Sequence, residues 1–239
     1  YNYQTLREEL IAAGHTFTTK SDTEVLLHGY EQWGVDLLQR VRGMFTFVIW
    51  DKNKQELFGA RDHFGIKPFY YAKMNGTFMY ASEIKSLLRH PDFVKELNAE
   101  ALKPYMTFQY PAIGETFFKG VYKLPEGHYF TYRDGKMDIH RYYDEDFREG
   151  KQKLGELVNS IDQTVCDSVK AHQIADVEVG SFLSSGVDSS YVAAVARPQH
   201  TYSIGFGKGT YNESQQAGEL AELLKLNNTA ESLTDEEAF

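Results

Sequence analysis

Apolar residues near the start of the chain recur at the spacing of helices. A first helix is predicted from a cap at Asn2 to Gly14, and a second from Ser21 to Gly34. Ser21 and Glu24 also have the spacing of a capping box, in which each side chain accepts the other residue's backbone N–H. The chain is therefore expected to open with two amphipathic helices.

The apolar period then shortens to that of strands. Alternating apolar positions over 44–82 predict antiparallel sheet, with a hairpin at Asn75-Gly76. A helix is predicted over 82–89, and two later strands flank an Asp134-Gly135 turn. This part of the chain is expected to combine antiparallel sheet with helices.

A charged stretch at 144–153 has almost no apolar anchor, and we predict that it is a linker. Helical spacing resumes over 154–169. Strand, helix, strand and helix patterns then follow at 177–183, 189–196, 201–206 and 213–226. Such alternation is typical of a doubly wound parallel sheet.

The composition limits the kinds of partner and site that the protein is expected to have. The 239 residues carry 25 basic and 34 acidic side chains, a formal charge of −9, which argues against nucleic acid or a membrane surface as a partner. The single cysteine, Cys166, cannot form an internal disulfide and lies on the apolar face of the 154–169 helix, where we expect a small core side chain. We therefore expect a cytoplasmic protein. The eight histidines lack metal-ligand spacing, so no zinc site is predicted.

The chain begins at Tyr1 without an initiator methionine and stops at Phe239 just after an acidic stretch. We expect it to be a piece of a longer protein at both ends.

The residues most informative about chemistry lie between a predicted buried strand and an amphipathic helix. They are Ser184, Ser185, Gly186, Val187, Asp188, Ser189 and Ser190. Such a bend can direct N–H groups, hydroxyls and the positive end of a helix dipole at a phosphate. Because an acid would repel phosphate unless a cation lies between them, Asp188 is the candidate Mg²⁺ ligand. The alternative is that Asp188 only caps a helix beginning at Ser189.

Ser184 to Ser190 resembles the pyrophosphate loop (PP-loop), Ser-Gly-Gly-x-Asp-Ser-Ser, of ATP pyrophosphatases, with Ser185 in a glycine position. If that position requires a positive φ, a side chain there is strained. The resemblance implies that ATP is bound, that Phe182 and Leu183 back the nucleotide, and that Ile204 contacts adenine. For Ile204, plain sheet core is an equal alternative.

Residues 1–143 are similar to the glutaminase domain of class B, glutamine-hydrolysing asparagine synthetases. Stretches that carry the similarity are Ser21-Asp22-Thr23-Glu24-Val25, Gly43-Met44-Phe45, Ala60-Arg61-Asp62, Gly65-Ile66-Lys67-Pro68 and Ser82-Glu83-Ile84-Lys85. The resemblance implies an N-terminal-nucleophile (Ntn) hydrolase fold over 1–143, a linker at 144–153 and the start of an adenine-nucleotide-hydrolase-like synthetase domain over 154–239, both domains incomplete. Glutamine, aspartate and ATP would be the substrates, with a homodimer as one assembly to consider.

The family's glutaminase nucleophile is an N-terminal cysteine, which this sequence lacks, so no catalytic residue can be assigned. Asp22 is the remaining glutamine contact that the resemblance implies, through the substrate's α-ammonium group. Its alternative role is to stabilise a helix start.

Three other interpretations stay open. Arg61, Asp62 and Lys67 could bind an anion, although a structural Arg61–Asp62 pair is favoured. The enzyme could amidate a different carboxylate or form a β-lactam. The chain could also be a non-catalytic, glutaminase-like binding module.

Overall fold

The computed structural model describes residues 1–110, 112–206 and 213–233. The chain forms two compact units, Tyr1–Arg148 and Glu149–Phe239, which are described separately. Within the described ranges, no helix combines the length and apolar character needed to cross a membrane.

Among its described residues, the first unit contains four α-helices, two 3₁₀ helices and seven strands. The helices are α1 (Tyr3–Ala12), α2 (Asp22–Trp33), α3 (Ile84–Leu87) and α4 (Leu102–Phe108), with 3₁₀ turns at Gly34–Gln39 and Ala99–Ala101. The strands are β1 (Thr46–Asp51), β2 (Glu56–Arg61), β3 (Tyr70–Met74), β4 (Thr77–Ala81), β5 (Val121–Lys123), β6 (His128–Arg133) and β7 (Lys136–Arg141). The helix predicted over 82–89 is thus a single turn, α3.

These strands form two antiparallel sheets, ordered β1-β2-β6-β7 and β4-β3-β5. Both predicted turns are confirmed. Asn75 and Gly76 have φ of 49° and 84°, and Asp134 and Gly135 have φ of 52° and 75°. Two successive positive φ values match the right-handed twist of the flanking strands, so each turn sets the register of its hairpin.

Three apolar layers separate helices and sheets in this unit. Helices α1 and α2 pack through Leu6, Leu10 and Val25 on one face of the β1-β2-β6-β7 sheet. The opposite face meets the β4-β3-β5 sheet in a layer that contains Phe69, Leu124, Phe130, Val48 and Phe78. A further layer, Ala72, Met79, Leu87 and Val121, covers the outer face of the second sheet. This layered arrangement of helices on antiparallel sheets agrees with the predicted fold class.

Asn2 and Ser21 are the N-cap residues of α1 and α2, as predicted. Only the Ser21 side chain makes a capping hydrogen bond, whereas Asn2 binds a loop. Asn2 donates from Nδ2 to the Arg40 carbonyl (3.0 Å) and accepts from the Arg42 N–H (2.8 Å), so it joins the start of α1 to that loop. Ser21 caps α2 through the Thr23 N–H (3.2 Å). Glu24 does not complete a capping box, because its carboxylate binds a preceding loop instead.

A buried arginine joins the ends of the two sheets. Arg61, at the end of β2, is only 2% exposed, and its guanidinium donates to the carbonyls of Lys67 (2.8 Å), Leu124 (2.7 Å) and Gly65. Burial lowers the pKa of Arg61, and the Asp62 charge opposes that effect. Because the Arg61 guanidinium donates to carbonyls, the interpretation of Arg61, Asp62 and Lys67 as an anion site is wrong. Arg61 and Asp62 have the structural role that was favoured, but each acts through the backbone, and no direct hydrogen bond or ion pair joins them among the described residues.

The neighbouring residue, Asp62, binds the N–H groups of the same 64–67 loop. Asp62 is 1% exposed and accepts only from backbone N–H groups. The donors are Phe45 (3.3 Å), Phe64 (3.2 Å), Ile66 (2.9 Å) and Lys67 (2.9 Å). Arg61 and Asp62 thus both hydrogen-bond to backbone groups of the 64–67 loop, and Arg61 also binds Leu124 and Asp62 also binds Phe45. Such hydrogen bonds allow the two buried charges to be tolerated.

The second unit holds a parallel sheet in the order β10-β9-β8. Its elements are α5 (Leu154–His172), β8 (Ser181–Phe182), α6 (Val187–Ala196), β9 (His200–Phe206), α7 (Ser214–Leu224) and β10 (Asn227–Leu233). Leu183, Ala193, Ala217 and Ala221 form its core. The parallel sheet confirms the predicted α/β class, whereas β10 was not predicted.

Two expectations for this unit are wrong. The strand predicted over 177–183 pairs only at Ser181–Phe182. The apolar face of α5 is mostly exposed: Val169 is buried, but Leu154 is 77% and Ile161 53% exposed. Cys166 on that face is consequently half-buried rather than a core residue. Residues 142–153 contain no helix or strand, and the predicted domain bounds around them stay a prediction.

Replacing Arg61 with methionine should lower the free energy of unfolding of the first unit by about 3–5 kcal/mol, because three carbonyls lose their donor and the buried Asp62 carboxylate loses a nearby positive charge. Both tryptophans, Trp33 and Trp50, lie in this unit, so urea unfolding followed by tryptophan fluorescence reports on it. Arg133→Met, at a largely exposed arginine, is the matched control and should change stability little. Equal losses in the two variants would contradict the role given to Arg61.

Candidate functional site

The predicted phosphate-binding residues form an exposed bend between β8 and α6. Ser185, Gly186, Val187 and Asp188 are all exposed, and Val187 is 84% accessible. The bend follows the carboxyl end of a parallel strand, where open α/β sheets place their ligands. It is therefore reachable by a ligand rather than packed inside the unit.

Two serines hold the bend in shape from within. The hydroxyls of Ser184 and Ser189 lie 2.8 Å apart, and the Ser184 N–H donates to Ser189 Oγ (3.2 Å). The Gly186 N–H donates to Ser184 Oγ (3.2 Å). A Cβ on Gly186 would lie 3.2 Å from Ser184 Oγ, so glycine fits this turn best. Ser184 and Ser189 therefore shape the bend from inside, which the sequence did not indicate.

The first turn of α6 presents free N–H groups. Gly186 is the N-cap residue and no side chain caps the helix. The first N–H groups of a helix lack intrahelical partners and attract anions. Ser190, whose hydroxyl is half-buried, already gives its N–H to the Gly186 carbonyl (3.1 Å). The donors left for a phosphate are thus those of Val187, Asp188 and Ser189.

Asp188 lies in this first turn, and the prediction that it caps a helix starting at Ser189 is wrong, because α6 begins at Val187. Its carboxylate is exposed and has no hydrogen-bond or ion-pair partner among the described residues. An oxygen donor of this kind, next to a phosphate-sized set of N–H groups, suits a hard divalent cation. Whether Asp188 binds one stays a prediction.

The substitution of serine for glycine at position 185 carries no backbone strain. Ser185 is not among the residues with a positive φ, and Gly186 has φ −70°. The conformation of this bend therefore accepts a Cβ at 185, and the exposed Ser185 hydroxyl is an additional group that can bind phosphate.

The predicted nucleotide contacts fall on opposite faces of the sheet. Phe182 pairs with Tyr202, and together with Ile204 these residues occupy the exposed face, being 77%, 45% and 49% accessible. Leu183 instead points into the core and is 3% exposed. The core alternative for Ile204 is wrong. Tyr202 was not predicted to be part of this exposed face, although residues two apart in a strand share a face and Tyr202 is two residues before Ile204.

A cavity of about 480 Å³ in the second unit is separate from this bend. It lies between α5 and the second half of α6 and is lined by apolar residues such as Val165, Val169 and Val192. Its lining includes Val192 and Ala196 from the C-terminal half of α6 and none of residues 184–190, so it is not part of the candidate phosphate site.

In the first unit, Asp22 is the first residue of α2 and is exposed. Its flanking residues, Ser21 and Thr23, line a cavity of about 520 Å³ between the start of α2 and the edge strand β1. Asp22 itself is not among the residues that line this cavity, so its contact with glutamine stays a prediction.

Glu24 anchors the loop that forms one side of this cavity. Its two carboxylate oxygens accept the N–H groups of Thr18 and Thr19, each at 2.7 Å, and both threonine hydroxyls. The backbone hydrogen bond from Thr18 is the largest of the effects that lower the pKa of Glu24 to about 2. The carboxylate is therefore ionised at any ordinary pH and holds the loop against α2.

Comparison with known proteins gives these surfaces a context. Residues 1–143, more than half of the chain, match the family model of the glutamine amidotransferase domain. The chain belongs to the glutamine amidotransferase domain family. Residues 160–239 match the asparagine synthase family model, so the amidotransferase part precedes the start of a synthase part that carries the 184–190 bend. Both matches confirm the resemblance inferred from the sequence.

Individual relatives agree with these matches. Asparagine synthetase [glutamine-hydrolyzing] 1 of Bacillus subtilis is 42% identical over 99% of this chain, and asparagine synthetase [glutamine-hydrolyzing] 3 of the same organism is 36% identical over 86%. Amidase chry2 of Gibberella zeae is 33% identical over 82%. The amidotransferase chain spans 38%, 35% and 29% of the lengths of these relatives, respectively.

Ser189→Ala should loosen the bend, because the Ser184 N–H and hydroxyl both lose their partner. We expect amide exchange at 184–186 to accelerate about fivefold, the effect of losing one hydrogen bond of roughly 1 kcal/mol. Hydrogen exchange with mass spectrometry measures this. Ser190→Ala, which removes an adjacent hydroxyl with no such contact, is the control, and equal acceleration in both variants would refute the role of Ser189.

Stability contributed by Glu24 should depend on pH with a defined sign. Because folding lowers the pKa of Glu24, its contribution to stability is complete above the ordinary glutamate pKa of about 4.5 and is lost as the pH falls toward about 2. The urea midpoint of the wild type should therefore exceed that of Glu24→Gln at pH 7, and the gap should shrink between pH 4.5 and 2.5. A gap that is constant over this range would contradict the assignment.

Proposed function

We propose that this chain is the glutaminase part and the beginning of the synthetase part of a glutamine-hydrolysing asparagine synthetase. The whole enzyme would release ammonia from glutamine and use ATP to activate the side-chain carboxylate of aspartate as β-aspartyl-AMP. Ammonia would then displace AMP and give asparagine, with glutamate, AMP and pyrophosphate as the other products. The names of the two Bacillus subtilis relatives support this substrate choice.

The observation that carries the proposal is the 184–190 bend in its context. It joins a parallel strand to a helix that has free N–H groups and no side-chain cap. It lies within the segment matched by the asparagine synthase family, directly after an amidotransferase domain in the same chain. A binding module without chemistry would have no use for such a bend, so this feature favours the enzyme.

The bend has separate groups for shape and for binding. Ser184 and Ser189 are occupied with each other, so they keep the turn open without facing the ligand. The N–H groups of the first turn of α6, with the Ser185 hydroxyl, would hold phosphate oxygens. The exposed face at Phe182, Tyr202 and Ile204 offers apolar surface for the adenine ring, and Leu183 supports it from the core.

Asp188 would be the Mg²⁺ ligand. The fit rests on its unpaired, exposed carboxylate beside the first-turn N–H groups, since Mg²⁺ usually takes one or two carboxylates together with substrate phosphates. When bound, the ion would neutralise phosphate charge and favour departure of pyrophosphate. The role of this chain's residues is to hold that ion and the phosphates in register.

Asp22 would bind the α-ammonium group of glutamine at the cavity beside α2. Glu24 keeps the adjacent loop fixed, so the surface is preorganised before substrate arrives. A cytoplasmic location and a homodimeric assembly complete the proposal.

An enzyme that amidates a different carboxylate is the second candidate, and the similarity to a relative that is not named as an asparagine synthetase, amidase chry2, favours it. Both candidates share the nucleotide-binding bend.

The nucleotide role of Asp188 can be tested by calorimetry with ATP in the presence and absence of Mg²⁺. We expect Asp188→Asn to weaken Mg-ATP binding at least tenfold, whereas in EDTA the variant should bind ATP as well as or better than the wild type, because the repulsive charge is gone. This reversal would be specific for a bridging cation. Glu222→Gln, at an exposed acid on α7, removes the same charge from the same unit and should change neither affinity. Identical Mg-ATP affinities for Asp188→Asn and wild type would reject the proposal.

A further inference from the structure

Two histidines and a glutamate converge on one side of α2. His15 lies in the connection between α1 and α2, and His28 and Glu31 are three residues apart on α2, which places them on one helical face. One ligand atom from each lies within 4.8 Å of the others. The sequence predicted no metal site, because His15 is 13 residues from His28 and only the fold brings them together.

The distances between the three groups suit a shared ligand. His28 Nδ1 is 2.7 Å and His15 Nδ1 is 3.8 Å from the same oxygen, Glu31 Oε2. The two imidazole rings are 5.0 Å apart between centroids. One carboxylate oxygen thus lies beside a nitrogen of each ring. The shorter contact is a hydrogen bond, so a metal ion that bound here would displace the proton between His28 Nδ1 and Glu31.

The other ring nitrogen of each histidine faces a side-chain oxygen. His15 Nε2 lies 2.8 Å from Gln32 Oε1, and because an amide oxygen accepts, Nε2 is the donor in this contact, which leaves Nδ1 on the side of Glu31. His28 Nε2 faces Glu24 Oε1 at 3.7 Å, a carboxylate already fixed by Thr18 and Thr19. Histidines that bind metals characteristically direct their other nitrogen to such an acceptor.

Packing makes the cluster rigid on one side and open on the other. The side chains of His15 and His28 are each 18% exposed, and Phe17 packs edge-on against the His28 ring (4.9 Å between centroids). Glu31 is 52% exposed, which provides access from solvent. The imidazoles need little reorganisation to bind an ion, and that lowers the entropic cost of binding.

We propose that His15, His28 and Glu31 form a binding site for a divalent transition-metal ion of the zinc class. Two imidazoles and one carboxylate form a donor set that favours zinc over calcium or magnesium, because these two ions prefer oxygen ligands. Three protein ligands also leave the fourth zinc position for water. The site is distinct from the glutamine and ATP surfaces. A bound ion would clamp the α1–α2 connection to α2 and so stabilise the first unit.

Zinc alone is the probe for the first test, with untagged 239-residue chain that has been treated with chelator. Calorimetry should give one equivalent of Zn²⁺ with a micromolar dissociation constant. His28→Gln and His15→Gln should each weaken binding at least tenfold. His90→Gln is the matched control, because His90 also faces a carboxylate, Asp92 (3.8 Å), but has no second imidazole in its cluster, and this variant should bind zinc like the wild type.

Glu31→Gln keeps the proposal testable if a histidine variant fails to fold, since the exposed Glu31 side chain contributes little packing. We expect it to lower zinc affinity about tenfold while circular dichroism stays unchanged. With Co²⁺ in place of zinc, the wild type should show visible d–d absorption of a tetrahedral nitrogen and oxygen site, and Glu31→Gln should lose or shift it.

Thermal unfolding separates a metal site from a simple histidine–glutamate ion pair. A hundredfold excess of zinc over its dissociation constant should raise the Tm of the wild type by roughly 5–10 °C, but not that of His28→Gln. Absence of zinc binding below millimolar concentration, or equal binding by wild type and all three cluster variants, would overturn the proposal.

Discussion

Two buried, adjacent charges at the end of β2 hold the first unit together. The Arg61 guanidinium satisfies carbonyls of the 65–67 loop and of Leu124, while the Asp62 carboxylate satisfies four N–H groups, so the partly buried backbone of this irregular loop has hydrogen-bond partners at the end of β2. Gly65 is required in this arrangement, because it has φ +63° and a Cβ there would lie 2.8 Å from the guanidinium carbon. Without these two side chains the buried Leu124 carbonyl and Phe45 N–H would lose hydrogen-bond partners, and the 62–67 loop would lose its link to the end of β2.

A similar division between internal and external polar groups explains the shape of the 184–190 bend. Ser184 and Ser189 satisfy backbone and hydroxyl groups inside the turn, whereas Asp188 and the first N–H groups of α6 have no internal partner and face solvent. Unlike a typical helix start, α6 has no side-chain cap, which weakens the isolated helix but leaves its donors for a ligand. Sacrificing local stability at a binding surface is a common property of functional sites.

Around α2, one carboxylate connects two surfaces. Glu24 fixes Thr18 and Thr19 beside the cavity next to Asp22, and the same carboxylate faces His28 on the side where His15 and Glu31 meet. The proposed glutamine contact and the proposed metal site therefore share a rigid loop. A metal ion bound on one side would reinforce the loop that borders the other.

Sequence alone determined what depends on local periodicity and turn chemistry: the helices at α1 and α2, the hairpins at Asn75-Gly76 and Asp134-Gly135, the alternating pattern of the second unit and the position of the bend. The tertiary structure decided what depends on partners distant in the chain. Strand β10 has few strand-favouring residues and forms because it pairs with β9. Glu24 binds two threonines of a preceding loop instead of completing a capping box. His15 contacts the group around His28 only when α1 packs on α2. Local pattern limits the backbone conformation of a segment, but its contacts are set by the burial and pairing that the whole fold makes available.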